Sequence, residues 1–493
     1  MPQQPRHALI PPDAKNALCQ AVGDGNWYDQ PDALMPFNQE WRGYFRGQAG
    51  LVLLPRTTAT VAQLVKICAA HRVSIVPQGG NTGLVGGAVA ETHQVILSLN
   101  HLNKLRHIDG VAGAMIVEAG ATLAEAQSYA AAADRLFPLH LASQSRCQIG
   151  GNLSTNAGGI AVLKYGTMRD LTYGLEVVMP DGTVISQLSG LRKDNTGYDL
   201  RHIFIGAEGT LGIITAACLR LYPSIKQRIV AWVGLPDPTQ AMALLTHLRH
   251  GFGTGGLGGL GDHLAAYEII NQQTLALVLQ GQAHRRAPLT QPAAWHGLIM
   301  VESTLAADEN AAQDTGLASY VQNLLLTALE RGLITEAVLA ANDRQRAEFF
   351  ALREAASDAQ KAAGASLKHD VSLPLAMIPE FLARAEILVQ KTQPGTRIVA
   401  FGHFGDGNFH YNLSQPPDLE AAAFLARRAA ISHDIHRLVV DLGGSISAEH
   451  GIGILRRQDF LEFTPPAEIA VMQKIKHSLD PLGIMNPGKI LPG

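Results

Sequence analysis

Apolar and polar positions follow two patterns along this chain, and the pattern changes near residue 226. Before that point, helical spacing of apolar residues predicts a helix capped by Thr58 or Thr60 and a second helix over 122–135. Short apolar runs bounded by turn residues predict strands over 51–54, 74–77, 94–99, 114–118, 174–180 and 183–187. The pattern therefore indicates a strand-rich domain with few helices.

After residue 226, long segments rich in Ala and Leu predict helices over 238–250, 313–331, 342–363, 374–391 and 418–442. Apolar runs between them predict strands over 228–234, 296–302, 366–372 and 397–401. A chain of 493 residues is too long for one core, so the change of pattern predicts two or three domains.

The composition narrows the class of protein. Hydrophobic residues make up 47% and charged residues 16% of the chain, as in a well-packed globular protein. A net charge of −3 argues against nucleic acid or an anionic membrane as a partner. The cysteines lack CxxC spacing, residues 1–13 lack the apolar core of a signal peptide, and no apolar run is long enough to span a bilayer. A cytoplasmic location is therefore expected.

Two glycine-rich segments, 78–87 and 150–159, offer backbone N–H groups with few side chains in the way. Such groups bind phosphate oxygens, and two segments in one strand-rich domain suggest a dinucleotide held from two sides. A Rossmann domain for NAD fits poorly, because its glycine motif opens a helix. Here the first segment leads into residues 88–90 and then into a loop and a strand.

The segment 403–410 (HFGDGNFH) places a histidine on each side of a predicted tight turn. Folding back at Asp406 and Gly407 brings His403 and His410 together, and neutral imidazole is a common ligand of zinc-like ions. The segment alone leaves two interpretations open: half of a metal site, or two surface histidines beside a hairpin.

Seven ordered blocks carry a resemblance to a known family. They are residues 77–83 (PQGGNTG), 148–159 (QIGGNLSTNAGG), 194–200 (DNTGYDL), 206–212 (GAEGTLG), 403–410, 449–451 (EHG) and 486–488 (NPG). Together they resemble the FAD-linked oxidases, whose flavin domain is shared with vanillyl-alcohol oxidase. Within that family the chain is most similar to the D-2-hydroxyglutarate dehydrogenase and D-lactate dehydrogenase branch.

The resemblance implies an α+β fold with four parts. These are an N-terminal helical segment over 1–45, a vanillyl-alcohol-oxidase-type FAD-binding domain over 46–225, a mixed α+β substrate (cap) domain over 226–445, and a C-terminal segment over 446–493 that completes the active site and contacts FAD. A homodimer is expected from the family alone.

The resemblance also implies the residues that bind FAD. They are Pro77, Gly79, Gly80, Asn81, Thr82, Gly83, Gly150, Gly151, Asn152, Thr155, Asn156, Gly158, Gly159, Glu208, Gly209, Gly212, Ile213 and Asn486. Asn81 occupies the position where some relatives attach FAD through a histidine. The chain is therefore expected to bind FAD non-covalently.

The active centre implied by the resemblance combines a metal ion with a cationic anchor. His403, His410 and Glu449 are the implied ligands of a divalent ion, with zinc favoured and manganese, cobalt and iron open. His450 is the implied base and a substrate contact. The further implied substrate contacts are Arg353, Ser357, Lys368 and Asn412, with Ser357 standing where the family has threonine. Arg353 and Ser357 are four residues apart in one predicted helix and are therefore expected to share a face of it.

The expected reaction is oxidation of a D-2-hydroxy acid to the 2-oxo acid by hydride transfer to flavin N5, with D-2-hydroxyglutarate as the favoured substrate. D-lactate or glycolate is the alternative within the family. A non-redox zinc hydrolase and a metal-dependent binding module are more distant alternatives. No iron–sulfur cysteine pattern occurs, so electrons are expected to leave through a partner such as electron-transfer flavoprotein, a quinone-linked carrier or a cytochrome.

Overall fold

The structure is a computed structural model that describes residues 9–251, 258–282, 284–306 and 316–492. The chain divides into two compact units. The first unit contains residues up to 158, residues 167–224 and residues from 449 onward; the second contains residues 159–166 and 225–448. The start of the predicted N-terminal segment and part of the helix predicted over 313–331 lie outside the described residues.

The α-helices are α1 (Pro12–Val22), α2 (Pro31–Asn38), α3 (Thr58–His71), α4 (Leu123–Ala132), α5 (Ile149–Ser154), α6 (Val162–Tyr165), α7 (Arg201–Phe204), α8 (Pro238–His250), α9 (Gln272–Gly281), α10 (Leu317–Glu330), α11 (Asp343–Glu354), α12 (Ala356–Ala362), α13 (Ile378–Thr392), α14 (Ala421–Ala426), α15 (Arg428–Asp441), α16 (Arg457–Phe463) and α17 (Pro466–Leu479). Short 3-10 turns cover Gly261–His263, Leu375–Met377 and Phe404–Asp406.

The strands are β1 (Trp27–Tyr28), β2 (Leu51–Leu53), β3 (Ser74–Gln78), β4 (Gln94–Ser98), β5 (Leu105–Asp109), β6 (Ala114–Glu118), β7 (Arg135–Leu136), β8 (Thr172–Val178), β9 (Val184–Gln187), β10 (Ile213–Arg220), β11 (Tyr222–Pro223), β12 (Gln227–Leu235), β13 (Leu264–Asn271), β14 (Trp295–Ser303), β15 (Glu336–Leu339), β16 (Ser366–Leu367), β17 (Asp370–Ser372), β18 (Arg397–Gly402) and β19 (Asn408–Ser414).

The first unit contains two larger sheets. One has the strand order β1-β2-β4-β3, with β2, β4 and β3 parallel and β1 antiparallel to β2. The other has the order β5-β6-β10-β8-β9 and is antiparallel throughout. Residues 79–93, between β3 and β4, form no helix. The prediction that the first glycine segment is not a Rossmann motif is therefore confirmed.

Helix α3 delivers the chain into β3 and the first glycine segment. Its N-cap is Thr57, whose side chain accepts a hydrogen bond from the backbone N–H of Thr60. The prediction of Thr58 or Thr60 as the cap was wrong, because Thr57 has the extended backbone that an N-cap needs, whereas the helix already begins at Thr58. Its buried face carries Val61, Leu64, Val65 and Cys68.

The second unit is built on one large antiparallel sheet. Its strand order is β15-β12-β14-β13-β18-β19-β16, and β17 also pairs with β19. Side chains from this sheet and from α8, α10, α13 and α15 form one buried apolar cluster. That cluster packs against β13, β18 and β19. These strands contain Glu268, Phe401 and His410, and His403 directly follows β18.

Residues 159–166 belong to the second unit although they directly follow the second glycine segment. In this short segment the Lys164 ammonium donates to the carbonyl of Glu302 at 3.0 Å, and the Tyr165 hydroxyl donates to Glu302 Oε2 at 2.8 Å. Glu302 also pairs with Arg228 at 2.6 Å. The segment is therefore fixed to strand β14 by polar contacts.

Several predicted elements have different bounds. The helix predicted over 342–363 is two helices, because Ala355 has a ψ of −10° and departs from the helical value of about −42°. The helix predicted over 418–442 breaks in the same way at Arg427, where ψ is −1°. The strand predicted over 366–372 is interrupted at Lys368 and His369, and β13 and α9 were not predicted.

Candidate functional site

The two glycine segments meet in the first unit. A Cβ atom on Gly79 would lie 3.2 Å from Gln148 Oε1 and 3.7 Å from the backbone nitrogen of Gly151. A Cβ atom on Gly80 would lie 1.9 Å from the carbonyl oxygen of Arg146. The chain just before the second segment therefore approaches the first segment so closely that only glycine fits at position 80.

The second glycine segment begins inside helix α5 and continues as a loop after Ser154. The Ser154 hydroxyl donates to the carbonyl of Gly150 at 2.7 Å, and the Thr155 hydroxyl donates to the carbonyl of Gly151 at 3.2 Å. These back-bonds satisfy both hydroxyls inside the helical turn. Contacts with a cofactor from this part of the segment are thus left mainly to the glycines and to backbone N–H groups.

Asn486 joins the C-terminal segment to both glycine regions. Its amide nitrogen donates to the carbonyl of Gly87 at 2.9 Å and to the carbonyl of Glu208 at 2.8 Å. The backbone nitrogen of Glu208 in turn donates to the carbonyl of Ser154 at 2.8 Å. Asn486 is 1% exposed, and its Oδ1 atom has no hydrogen-bond partner among the described residues.

The carboxylate of Glu208 fixes a further segment. It accepts hydrogen bonds from the backbone nitrogens of Ile452 at 2.7 Å and Gly453 at 2.9 Å. Burial raises the pKa of Glu208, and these two hydrogen bonds oppose that change. The described contacts make Glu208 a joint between chain segments, and its predicted contact with the adenosine side of FAD stays a prediction.

Open space borders the same region. Apart from the adjacent residues and, for Gly151, the backbone of helix α5, no described atom lies within 4 Å of a Cβ atom built on Gly83 or on Gly151. An unsatisfied buried acceptor, Asn486 Oδ1, and two glycines that face open space are what a site for a large polar cofactor requires. The residues present therefore fit FAD.

The other predicted cofactor residues have varied settings. Pro77 lies 3.1 Å from a Cβ atom built on Gly209, and Asn81 has a φ of +52° with its amide donating to the carbonyl of Gln39 at 3.0 Å. Asn156 has a φ of +50° and accepts from the backbone nitrogen of Arg169 at 3.0 Å. The remaining predicted positions are Thr82, Gly150, Asn152, Gly158, Gly159, Gly212 and Ile213, of which Gly159 belongs to the second unit.

Lys489 is a buried cation that the sequence analysis did not assign. It is 5% exposed, and burial lowers its pKa to about 8. Glu91 and Glu208 act on it in the opposite direction. Its position, three residues after the predicted FAD-binding residue Asn486, could have identified it as a candidate site residue.

The predicted histidine pair forms in the second unit. Strand β18 ends at Gly402, a 3-10 turn covers Phe404–Asp406, and Gly407 has a φ of +86° that permits the chain to reverse into β19. The ring centroids of His403 and His410 lie 6.0 Å apart. The predicted hairpin and the approach of the two imidazoles are confirmed.

Two buried carboxylates beside this pair were missed. Glu268 Oε1 lies 2.5 Å from His403 Nδ1, and Asp370 Oδ1 lies 3.8 Å from His410 Nδ1. Asp370 also accepts from the Asn408 amide at 2.9 Å. The sequence did indicate Glu268, because it is an acidic residue within an otherwise apolar strand. A buried acidic residue is rare unless its charge is paired.

Asp406 lies in the turn between the histidines. Burial raises its pKa to about 6, while His403 and the backbone N–H of Asn408 oppose the rise. The turn therefore carries a carboxyl group that is easier to protonate than an exposed aspartate.

Glu449 and His450 follow directly on the last residue of the second unit. That residue, Ala448, donates its backbone N–H to the carbonyl of Asp370 at 3.2 Å. Ser445 pairs with Ser372 two residues further along β17. The segment that leads into Glu449 thus runs beside β17, which pairs with the strand of His410.

Arg353, the predicted substrate anchor, is 7% exposed. Its Nε donates to Glu268 Oε2 at 2.8 Å, and its guanidinium lies over the ring of Phe401 with Cζ 4.7 Å from the centroid. Ser357 is exposed and belongs to α12, so the prediction that it shares one helix face with Arg353 was wrong. Lys368 lies at the interruption between β16 and β17.

Asn412 is 3% exposed and uses both ends of its amide inside the second unit. Its Oδ1 accepts from the backbone nitrogen of His369 at 3.1 Å, and its nitrogen donates to Gln360 Oε1 at 3.1 Å. These bonds fix the interruption between β16 and β17. The predicted contact of Asn412 with substrate stays a prediction.

Comparison with known proteins places this geometry in a family. Residues 226–490 match the family described as FAD linked oxidases, C-terminal domain, and residues 49–187 match the one described as FAD binding domain. The chain belongs to the FAD-linked oxidases. This FAD-linked oxidase is 34% identical over 474 residues to the mitochondrial D-2-hydroxyglutarate dehydrogenase of Arabidopsis thaliana, which covers 96% of this chain and 80% of that protein.

A bacterial relative is matched over nearly its whole length. The D-2-hydroxyglutarate dehydrogenase of Stutzerimonas stutzeri is 33% identical over 483 residues, covering 98% of this chain and 99% of that protein. The predicted family, its D-2-hydroxyglutarate dehydrogenase branch, the FAD cofactor and the class of FAD-dependent oxidoreductase are confirmed.

Solved structures show the same fold at low identity. A substrate-bound p-cresol methylhydroxylase has a TM-score of 0.74 at 17% identity and covers 98% of this chain and 97% of that one. An alkyldihydroxyacetonephosphate synthase has a TM-score of 0.70 at 16% identity, covering 98% and 86%. The predicted vanillyl-alcohol-oxidase-type fold with a cap domain is confirmed. Within the described residues, no helix combines the length and apolar character needed to cross a bilayer.

Proposed function

We propose that this FAD-linked oxidase is a metal-dependent dehydrogenase of D-2-hydroxy acids and that D-2-hydroxyglutarate is its preferred substrate. The observation that supports this most directly is the cluster of His403, His410 and Arg353 in the second unit, in which Glu268 contacts both His403 and Arg353. Two imidazoles suit a metal ion, and a buried guanidinium suits a carboxylate. The names of the Arabidopsis and Stutzerimonas relatives supply the particular substrate.

The glycine segments and Asn486 would hold FAD, which supplies the acceptor for the hydride that leaves the substrate C2 atom. The first segment, residues 78–87, contains no histidine, cysteine or tyrosine that could bond to the flavin. FAD is therefore non-covalent in this proposal. Acid precipitation should release all yellow colour into the supernatant, and colour that stays with the pellet would contradict it.

His403, His410 and Glu449 would hold the metal ion, with zinc the first choice. The route of residues 445–448 along β17 supports Glu449 as the third ligand, because Ala448 bonds to Asp370 and Glu449 is the next residue. A divalent ion at these ligands would lower the pKa of the substrate hydroxyl, as it does for bound water.

The remaining steps belong to protein side chains. Arg353 binds the carboxylate next to C2 and fixes its orientation, since its guanidinium is held on one edge by Glu268 and on one face by Phe401. His450 removes the hydroxyl proton, because a positioned imidazole is the most common general base in enzymes. Lys368 supplies a second positive charge for the anion. Ser357 is a weaker candidate because it is exposed.

D-lactate and glycolate are the competing substrates, because both share the 2-hydroxy acid group and lack the distal carboxylate. Parallel steady-state kinetics with D-2-hydroxyglutarate, D-lactate and glycolate would decide. A kcat/KM highest for D-lactate would contradict the preference proposed here. A non-redox zinc hydrolase and a binding module disagree with membership of an FAD-dependent oxidoreductase family.

The electron acceptor is proposed to be electron-transfer flavoprotein or a quinone-linked carrier. A 2-oxo acid is a second candidate, since a relative from Saccharomyces cerevisiae, 32% identical over 468 residues, is named as a D-2-hydroxyglutarate–pyruvate transhydrogenase. Stopped-flow reoxidation of the reduced protein by each acceptor would separate these. A cytoplasmic location and a homodimer stay predictions.

The central test follows the flavin spectrum of the purified protein without oxygen. Adding D-2-hydroxyglutarate should bleach the flavin absorbance, removing metal with a chelator should abolish the bleaching, and adding Zn²⁺ back should restore it. Bleaching that persists in chelator would remove the metal from the proposed function.

A further inference from the structure

Glu268 lies in the middle of β13, inside the sheet of the second unit, and its side chain is fully buried. Strand β13 pairs with β18 through Ile269 opposite Gly402 and Ile270 opposite Phe401. Continuing that antiparallel register by one position places Glu268 opposite His403. A carboxylate at such a position is costly unless charged or hydrogen-bonding partners satisfy it.

The two oxygens of Glu268 have different partners. Oε1 lies 2.5 Å from His403 Nδ1, and Oε2 accepts from Arg353 Nε at 2.8 Å. A carboxylate oxygen is a hydrogen-bond acceptor, so this contact favours the His403 tautomer that carries its proton on Nδ1. In a neutral ring this leaves the lone pair on Nε2, which is the tautomer that a metal ligand needs.

The same carboxylate orients the guanidinium. Glu268 takes the Nε–H edge of Arg353, and the Phe401 ring covers one face at 4.7 Å. One N–H of each Nη nitrogen points away from that edge, and these two N–H groups form the fork that binds a carboxylate in two places. One side chain thus sets both the ring orientation of His403 and the direction of the Arg353 fork.

We propose that Glu268 is a positioning residue that couples the metal ligand His403 to the substrate anchor Arg353 through one carboxylate, a role that rests on the proposed function. The coupling is chemical as well as geometric. Both neighbours donate to Glu268, so a group with only one acceptor atom cannot satisfy both. Metal affinity and substrate affinity therefore depend on the same side chain.

The Glu268→Gln variant tests this coupling. Glutamine has nearly the same shape, but its amide carries one acceptor oxygen and one donor nitrogen. If the oxygen faces Arg353, the nitrogen faces the N–H of His403, and the reverse orientation fails at Arg353. Loss of an outer partner of a metal-binding histidine typically costs about 10-fold to 100-fold in metal affinity.

Glu302→Gln is the matched control. Glu302 is a second buried glutamate of the same sheet, 2% exposed, and it too pairs with an arginine, Arg228. Among the described residues it also contacts Tyr165, Lys164 and His263, and none of these belongs to the proposed centre. Removing its charge reproduces the general cost of changing a buried carboxylate without touching His403 or Arg353.

The experiment uses the full chain loaded with FAD and stripped of metal. Zn²⁺ affinity is measured by competition with a chromophoric chelator at fixed pH, and the KM for D-2-hydroxyglutarate is then measured with saturating Zn²⁺. We expect Glu268→Gln to bind Zn²⁺ at least about 10-fold more weakly and to show a raised KM, with Glu302→Gln like the wild type in both. Glu268→Asp, which keeps two acceptor oxygens on a shorter side chain, should fall between the wild type and Glu268→Gln.

The outcomes separate the inference from the proposed function. A wild type that binds no Zn²⁺ would overturn both, because no metal centre would exist to position. A wild type that binds Zn²⁺ while Glu268→Gln keeps wild-type affinity and KM would overturn the inference alone. If Glu268→Gln does not fold, Glu268→Asp decides in the same way: unchanged metal affinity and KM would overturn the inference. Equal losses in Glu268→Gln and Glu302→Gln would also overturn it, since they would reflect only the loss of a buried charge.

Discussion

Alanine substitutions at three glycines should distinguish glycines required for the stability of the apoprotein from glycines required for FAD binding. A Cβ atom at Gly80 would lie 1.9 Å from the Arg146 carbonyl oxygen. Apart from the adjacent residues and the backbone of helix α5, none of the described atoms comes within 4 Å of a Cβ at Gly83 or Gly151. Gly80→Ala forces two backbone segments apart and should destabilise the apoprotein by roughly 1–3 kcal/mol or more. Gly83→Ala should change apoprotein stability by less than about 0.5 kcal/mol.

Gly151→Ala should stabilise the apoprotein slightly, by up to about 1 kcal/mol, because Gly151 lies in helix α5. Both Gly83→Ala and Gly151→Ala should nevertheless weaken FAD binding, since their methyl groups project into the space assigned to FAD. A loss of about 1.4 kcal/mol of binding free energy would appear as a 10-fold rise in Kd.

Urea unfolding of the apoproteins measures the first effect, and titration with FAD, followed by flavin fluorescence, measures the second. If Gly83→Ala and Gly151→Ala both bind FAD as tightly as the wild type, FAD does not occupy the space beside these two glycines. If Gly80→Ala leaves apoprotein stability unchanged, the close approach between Gly80 and Arg146 does not exist.

Three further predictions concern other parts of the molecule. Burial lowers the pKa of His296 from 6.5 to about 4. Between these pH values the unfolded chain binds a proton that the folded chain does not. The free energy of unfolding should therefore fall by up to the order of 3 kcal/mol as the pH falls from 6.5 to 4. His296→Gln keeps an acceptor for the Trp232 N–H and should reduce this loss, as measured by urea unfolding at pH 7.5 and pH 5. The same pH dependence in the variant and the wild type would contradict the lowered pKa of His296. Asn486→Asp removes the amide N–H groups that bond to two carbonyls, so apoprotein stability in urea should fall by about 1–3 kcal/mol and unchanged stability would argue against this joint. His450→Asn should lower kcat with FAD still bound, whereas Arg353→Ala should mainly raise KM; steady-state kinetics check both, and wild-type values in either variant would remove that residue from its role.

Local chemistry made the histidine pair predictable. His403 and His410 are separated by six residues whose glycine and aspartate content specifies a reversal, so their approach does not depend on distant strands. The glycine segments were predictable for a similar reason, since both stand out in composition. Helix α5 was missed because glycine is a poor helix former and tertiary contacts of Ile149 and Asn152, both buried, outweigh that preference.

Glu268 could not be placed from the sequence because its contacts are set by strand pairing. It lies 135 residues from His403 and 85 from Arg353, and only the register of β13 with β18 brings the first pair together. The break at Ala355 was equally invisible, since alanine is a good helix former and its ψ of −10° reflects the surroundings. The consequence was that Ser357 was assigned to the wrong face.

The passage of residues 159–166 into the second unit limits how this protein can be taken apart. A fragment that starts at residue 225 would lose Tyr165 and Lys164, and the Glu302 carboxylate would keep, of its described partners, only Arg228. Leu163, which packs against Gly405 in the histidine turn, would be lost as well. The second unit is therefore not a transplantable module: swapping it between relatives requires two separate stretches of chain, residues 159–166 and 225–448, to be exchanged together.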